Sequence, residues 1–186
     1  MKSNAEIFLE NIEDLFGEAD VIRSVESLDG RTPISIFTYY NLPEEGMITF
    51  VTYGLSESNH PDWKYGKPEI ILTLETQDES WGFAAANFVA EFRGIKTFSY
   101  GSLFTQDTPL SKESEMTGYF VFVPSILDKK YSKIELPDKP INLVGLYPIY
   151  KEEVELYQSI GLKEFWHLDG FDLYDVNRKN LGISRY

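Results

Sequence analysis

The chain contains no cysteine, which excludes disulfide staples, thiolate zinc sites and a cysteine nucleophile together. Its two histidines, His60 and His167, lie far apart and form no HExxH or comparable pair, so a histidine-based metal site is not expected. No apolar run approaches the roughly 20 residues that would span a bilayer. The opening MKSNAEIFLENIEDLFGEAD carries one lysine and lacks the apolar centre of a secretory leader. The expectation is a cytoplasmic chain whose stability rests on its core. Basic residues are also scarce: 17 stand against 30 acids, a net charge of −13. Such a balance repels nucleic acid and anionic lipid, so neither nucleic acid nor a membrane is expected as a partner, and it favours basic proteins. The same acidity also serves solubility alone.

Signatures of catalysis are missing as well. There is no GxSxG, Walker or dinucleotide-type glycine pattern, and no cofactor is expected. The stretch HLDGFDLYD spaces Asp169, Asp172 and Asp175 by three, whereas a calcium loop of the EF-hand type needs acids at alternate positions, a glycine at the sixth and a closing glutamate. A serine with His60 and Asp62 would make a triad only if neighbours on one loop reached a geometry they rarely reach. Paired acids such as Glu44-Glu45 or Glu152-Glu153 are too common in so acidic a chain to mark glycoside hydrolysis. The sequence reads as a non-enzyme.

What is present is the material of a core. Hydrophobic residues make up 42% of the 186 and aromatics 15%, enough to fold as one domain over residues 1–186 with an aromatic-rich interior. Ala5, Phe8, Leu9, Ile12, Leu15 and Phe16 fall at helical spacing, and Ser3 with Glu6 fits a capping box. Val21 to Leu28, Ile34 to Tyr40, Met47 to Tyr53 and Glu69 to Thr76 are rich in β-branched and aromatic residues, which predicts strands separated by turns at Asp29-Gly30, at Asn41 to Gly46 and over Ser56–Pro68. Helical period returns from Glu79 to Phe92, with Trp81, Ala84, Ala85, Phe88, Val89 and Phe92 on one side. Strands follow at Tyr119–Val123 and Ile141–Tyr150, then a short acidic helix from Lys151 to Ile160 stopped by Gly161. The predicted fold is α+β, helices packed against a mixed or mostly antiparallel sheet.

Acidity is concentrated at the start, where six acids face one lysine before Val21. Glu6, Glu10 and Asp14 recur every fourth residue with no lysine or arginine interleaved, at a cost of a few tenths of a kcal/mol per like-charged pair. That stripe is either a solvated face or a partner surface. Glu152 and Glu153 form a second acidic candidate, but a helix dipole favours carboxylates there for structural reasons.

The run RTPISIFTYYNLPEEGMITFVTYGLSESNHPDWKYGKPEIILTL, with WGFAAANFVAEFR and LVGLYPIYKEEVELYQSIG, resembles the suppressor-of-fused-like domain family. The likeness lies in the order of pieces from about Arg31 to Gly161: Pro33, the Pro43-Glu44-x-Gly46 turn, a strand ending Thr52-Tyr53-Gly54-Leu55-Ser56, His60-Pro61, Pro68-Glu69, an aromatic helix, and Tyr147-Pro148-Ile149-Tyr150 before Glu152-Glu153. The tail from His167 onward matches no piece of it. The resemblance implies a binding fold without catalysis. Its bacterial single-domain branch implies an immunity protein or antitoxin that neutralises a cognate, basic toxin, often a nuclease, by stoichiometric binding. The alternative is an interaction or scaffold domain for some other basic protein. The candidate partner-binding residues are Glu6, Glu10, Asp14, Tyr53, His60, Trp63, Glu152 and Glu153. Of these, Tyr53 and Trp63 are either core or contact, with the core claiming most aromatics in so aromatic a chain, and His60 reads as a hydrogen-bonded loop histidine in preference to a base.

Overall fold

Helical and strand periods in the sequence become four helices and eight strands in a computed structural model that describes residues 2–27 and 30–183. Leu28 and Asp29, expected at a strand end and its turn, lie outside the described residues. Helix α1 (Asn4–Phe16) starts as its capping box predicts: the Glu6 backbone N–H donates to the Ser3 hydroxyl, and the Ser3 N–H donates to the Glu6 carboxylate at 2.6 Å. Strands β1 (Val21–Val25), β2 (Ile34–Tyr40), β3 (Ile48–Tyr53) and β4 (Lys67–Leu74) form an antiparallel run. Helix α2 (Ser80–Phe92) follows. The chain then adds β5 (Leu103–Thr105), β6 (Gly118–Phe122), a single 3-10 turn at Lys129–Tyr131, β7 (Lys133–Ile134) and β8 (Ile141–Ile149). Helices α3 (Lys151–Ile160) and α4 (Leu162–Trp166) close the succession of elements.

The sheet order is β1-β2-β3-β4-β8-β6-β5, with β7 paired to the start of β8. Among the named strand pairs of the described residues β4–β8 alone is parallel, so the sheet is mixed, and the α+β reading holds. Both faces are covered. Alternate residues of the strands reach two separate layers: Ile36, Phe50, Ile70, Leu72, Tyr119 and Val121 pack with α2, while Phe37, Val51, Ile71 and Leu143 pack with Phe8 and Ile12 of α1. The far end of that second face, Phe120, Tyr147 and Ile149, is covered by Tyr157 of α3 and Phe165 of α4. Strands buried on two faces read as continuous apolar runs, which is why β3, β4 and β8 show little polar alternation.

Helix α2 lies close to the sheet because its inner face is small. A Cβ on Gly82 would stand 2.4 Å from the Phe50 ring, so glycine there sets the approach, and Ala85 and Ala86 are buried beside it. Phe88 fills the space beyond. Its ring lies 6.0 Å from those of Phe104 and Tyr119, edge-on to the latter, and stacks on Phe92 at 6.2 Å. Phe88→Ala should therefore leave a cavity in a close-packed layer and cost about 3–5 kcal/mol. Urea unfolding followed by circular dichroism measures it, and an unchanged midpoint would place the Phe88 ring outside this layer.

Candidate partner-binding surfaces

The strand end Thr52-Tyr53-Gly54-Leu55-Ser56 is organised from beneath by one carboxylate. Glu69 of β4 is fully buried. It accepts hydrogen bonds from the Thr52 hydroxyl at 2.8 Å, the Gly54 N–H at 2.7 Å, the Ser56 N–H at 2.9 Å and the Ser56 hydroxyl at 2.7 Å. The Thr52 hydroxyl in turn accepts from the Ile70 N–H at 3.0 Å, and Arg93, at the end of α2, donates to the Gly54 carbonyl at 3.1 Å. Gly54 bends here with φ at +133°, and a Cβ would meet the Ile34 side chain at 2.9 Å, so the turn accepts no side chain. Burial pushes the Glu69 carboxyl up to about 7, against the pull of the surrounding donors.

Tyr53 resolves both ways. Its ring packs 4.9 Å from that of Phe8, which ties α1 to the sheet, and its hydroxyl donates to Glu57 at 2.5 Å. Burial, reinforced by that carboxylate, raises the phenol well above its ordinary range. The exposed edge of Tyr53 lines a groove of about 680 Å³ with Ser3 and Asn4 at the start of α1 and Pro33 and Ser35 of the β2 entry. The start of α1 and Tyr53 therefore share one region of the surface. Glu6, Glu10, Glu13 and Asp14 are all exposed. The stripe is not wholly unneutralised, however: Lys2 reaches back over it to pair with Glu10 at 2.6 Å.

His60 and Trp63 turn away from that region. The Trp63 side chain is buried and its indole N–H donates to the Thr97 carbonyl at 2.6 Å. His60 is half-buried beside it, ring centroids 5.8 Å apart, and its Nδ1 accepts from the Asp62 N–H at 3.2 Å. No triad forms on this loop, because the Ser56 hydroxyl is given to Glu69 and the Ser58 hydroxyl to the Leu55 carbonyl. His167 is far from both, with Nδ1 2.7 Å from the Lys163 carbonyl at the end of α4. Asp172 and Asp175 accept from backbone N–H groups of their own turns, and among the described residues no cluster of acids and histidines is arranged to hold a metal.

The two acids at the start of α3 separate. Glu153 is completely buried and its carboxylate is taken by the Arg178 guanidinium in a fork at 2.5 and 2.7 Å, with further donation from the Leu181 and Tyr150 N–H groups. That geometry makes Glu153 an anchor for the tail and removes it from the surface. Glu152 stays exposed, accepting from Asn180 at 2.9 Å, which holds its carboxyl below the usual range. Arg178 also lies over the rings of Tyr150 and Phe171 at 5.3 and 4.8 Å. Through Val176 and Arg178 the described part of the tail is thus fastened to the core, and the expectation that it stands apart from the rest of the domain is corrected.

Sequence reasoning missed Glu69 and Arg178. The signal for Glu69 was a lone acid in an otherwise apolar strand; Arg178 offered none, its partner lying 25 residues away.

The family model described as suppressor of fused protein matches residues 30–179. No curated protein matches the chain. A crystal structure of a suppressor-of-fused homologue from Neisseria gonorrhoeae is similar in fold, with TM-score 0.72, 14% identity and 97% of each chain covered. A crystal structure of the Sufu–Fu complex is similar at TM-score 0.67 and 12% identity, covering 94% of this chain and 90% of that one. Suppressor of Fused from Drosophila is similar at TM-score 0.67 and 13% identity, and its alignment covers 95% of this chain but 50% of the longer Drosophila chain.

The Glu69 site predicts a pH dependence with a definite sign. A carboxyl whose pKa is raised on folding, here from an ordinary 4.5 to about 7, contributes stability that is fully present at acid pH and lost as pH rises through the folded value. Glu69→Gln removes that titration. The stability of wild type minus that of the variant should fall by about 3 kcal/mol between acid and mildly alkaline pH, measured by urea unfolding at each pH. A difference that stays constant would show that the carboxyl keeps its ordinary pKa.

Proposed function

The chain belongs to the suppressor of fused family, and from that membership we propose that it is a protein-binding domain that captures a basic partner, namely a cognate bacterial toxin that it neutralises by stoichiometric binding. The observation that carries this reading is the exposed acidic face of α1. Glu6, Glu10, Glu13 and Asp14 stand together on it in a chain of net charge −13, with Lys2 paired to Glu10. Such a face steers a basic protein toward it and raises the rate of encounter. If the toxin is a nuclease, carboxylates stand where it binds phosphates.

Two further observations support binding in place of catalysis. A family member has been crystallised as the Sufu–Fu complex, a domain with its protein partner. The Ser56 and Ser58 hydroxyls of the Ser56–Asp62 loop are committed to Glu69 and to the Leu55 carbonyl, so neither is paired with His60. Contact is assigned to the α1 stripe and, beside it, the exposed edge of Tyr53 above Gly54. Glu152 offers a second, smaller acidic point. The other reading, a scaffold domain for some different basic protein, uses the same surface. It is separated by co-expression with the product of the adjacent reading frame, where rescue of growth identifies a toxin.

Exposed charges are screened over about 8 Å at physiological ionic strength, so association should be fast at low salt and weaken as salt rises. Glu10→Lys with Asp14→Lys reverses the centre of the stripe while leaving Phe8 and Ile12 in place. The double variant should bind the adjacent gene's product about tenfold more slowly at low salt, by stopped-flow or surface plasmon resonance, with an unchanged circular dichroism spectrum. Equal rates across a salt series would take α1 out of the interface.

A further inference from the structure

Charge of the opposite sign collects at one place on this acidic chain. Where β4 and β8 begin side by side as the parallel pair, a groove of about 620 Å³ opens between three loops. Lys64, Lys129 and Lys133 line it against one acid, Asp62. Lys133 pairs with Glu135 at 2.5 Å, but among the described residues Lys64 and Lys129 have no acidic partner, and neighbouring Lys130 lies over the Tyr131 ring. The floor is apolar, formed where the buried side chains of Phe98, Leu143 and Val144 come up under the groove beside the Trp63 edge. Its rim carries side chains that a monomer has no reason to display: Tyr65 is 88% exposed and Tyr100 53%, and Tyr131, on the turn between the lysines, 47%. Among the described residues, two of the six most exposed large hydrophobic side chains thus line this groove, and a third, Tyr131, stands on the turn that bounds it.

We infer that this groove docks an acidic, extended segment of a partner protein, one whose carboxylates meet Lys64 and Lys129 while an apolar side chain enters between Tyr65 and Tyr100. The sign of the charge selects the ligand. In a chain of −13 a patch with three lysines and one acid is a local reversal, and it offers cations only to something anionic. The tyrosines and the apolar floor select further. Rigid amphipathic rings around a desolvated pocket are the composition of interface hot spots. Nucleic acid shares the charge but fits less well. The groove has no arginine for bidentate phosphate contacts, and the surrounding field opposes a polyanion longer than the groove. The site shares no residue with the α1 stripe or the Tyr53 groove, so it stands whether or not the toxin reading does.

The test uses the full chain and three fluorescein-labelled probes: a dodecapeptide alternating aspartate with leucine and phenylalanine, the same peptide with asparagine for aspartate, and a single-stranded oligothymidylate of equal length. Fluorescence anisotropy should show saturable binding of the acidic peptide that weakens with salt, and at least tenfold weaker binding of the asparagine peptide and of the oligonucleotide. Lys64→Glu with Lys129→Glu, and separately Tyr65→Ala, should each weaken the acidic peptide about tenfold. All these side chains are exposed, and circular dichroism verifies that both variants fold. Absence of saturable binding, equal binding by the variants, or preference for the oligonucleotide would each overturn the proposal. So would concentration-dependent self-association of the chain, abolished by the lysine variants, since the occupant would then be a second copy.

Discussion

The buried Glu69 carboxylate is the constraint on which this end of the molecule depends. Taking a carboxylate out of water costs several kcal/mol, and hydrogen bonds to a charged group return about 1.5–3 kcal/mol each, so the site is tolerable only while its four donors stay in place. Those donors belong to the Thr52–Ser56 turn, and holding them fixes much else. The Gly54 carbonyl is presented to Arg93 at the end of α2. Tyr53 is aimed at Phe8 and so positions α1. Leu55 is driven into the core and its carbonyl holds Ser58. One polar centre thus joins the sheet to the helices on both of its faces, and the loop carrying His60 and Trp63 departs from it.

A second polar centre plays the same part at the opposite end of the chain. The Glu153–Arg178 pair is completely buried, and its net worth over apolar side chains of like volume is small. What it supplies is location. The guanidinium also donates to the Pro148 and Lys179 carbonyls, so the tail is fastened across the start of α3 and the end of β8. Breaking one partner would strand the other charge in the core, at a cost of about 3–5 kcal/mol. Both centres are therefore all-or-nothing arrangements, and both convert a flexible segment into a fixed surface.

Elements with a long period were legible in the sequence. The apolar stripe Phe8, Leu9, Ile12 and Leu15 and the capping box place α1 almost to the residue, and the α2 face is the one that its spacing marks. The β-branched runs give β2, β3, β4 and β8 within two residues of their bounds. Elements too short to show a period were missed: β5 and β7, of three and two residues, and α4, of five. Side chains whose meaning is set by a distant partner were missed or misjudged for a different reason. Glu153 reads as a dipole-favoured surface acid until Arg178 folds onto it, and Trp63 stays open between core and contact until Thr97 supplies a carbonyl for its indole. The lysine groove is assembled from loops that are separate in sequence, so no window of residues contains it.

Charge is partitioned on this fold, and the partition follows from how the layers are built. Helix α1 covers half of one sheet face, so its outer side must be solvated, and the sequence fills that side with acids. The end of the sheet where β4 and β8 begin cannot be covered by a helix, because the chain enters both strands there through loops. Loops supply the tyrosines and lysines that gather at that end. Under the proposed reading, a domain with an acidic helix on one flank and a basic, aromatic sheet end would orient a partner as well as attract it, since a basic surface drawn to α1 is repelled from the lysines. Under the proposed reading, recognition then rests on the arrangement of the two patches. Net charge governs how fast a partner arrives, and the pattern governs which way round it docks.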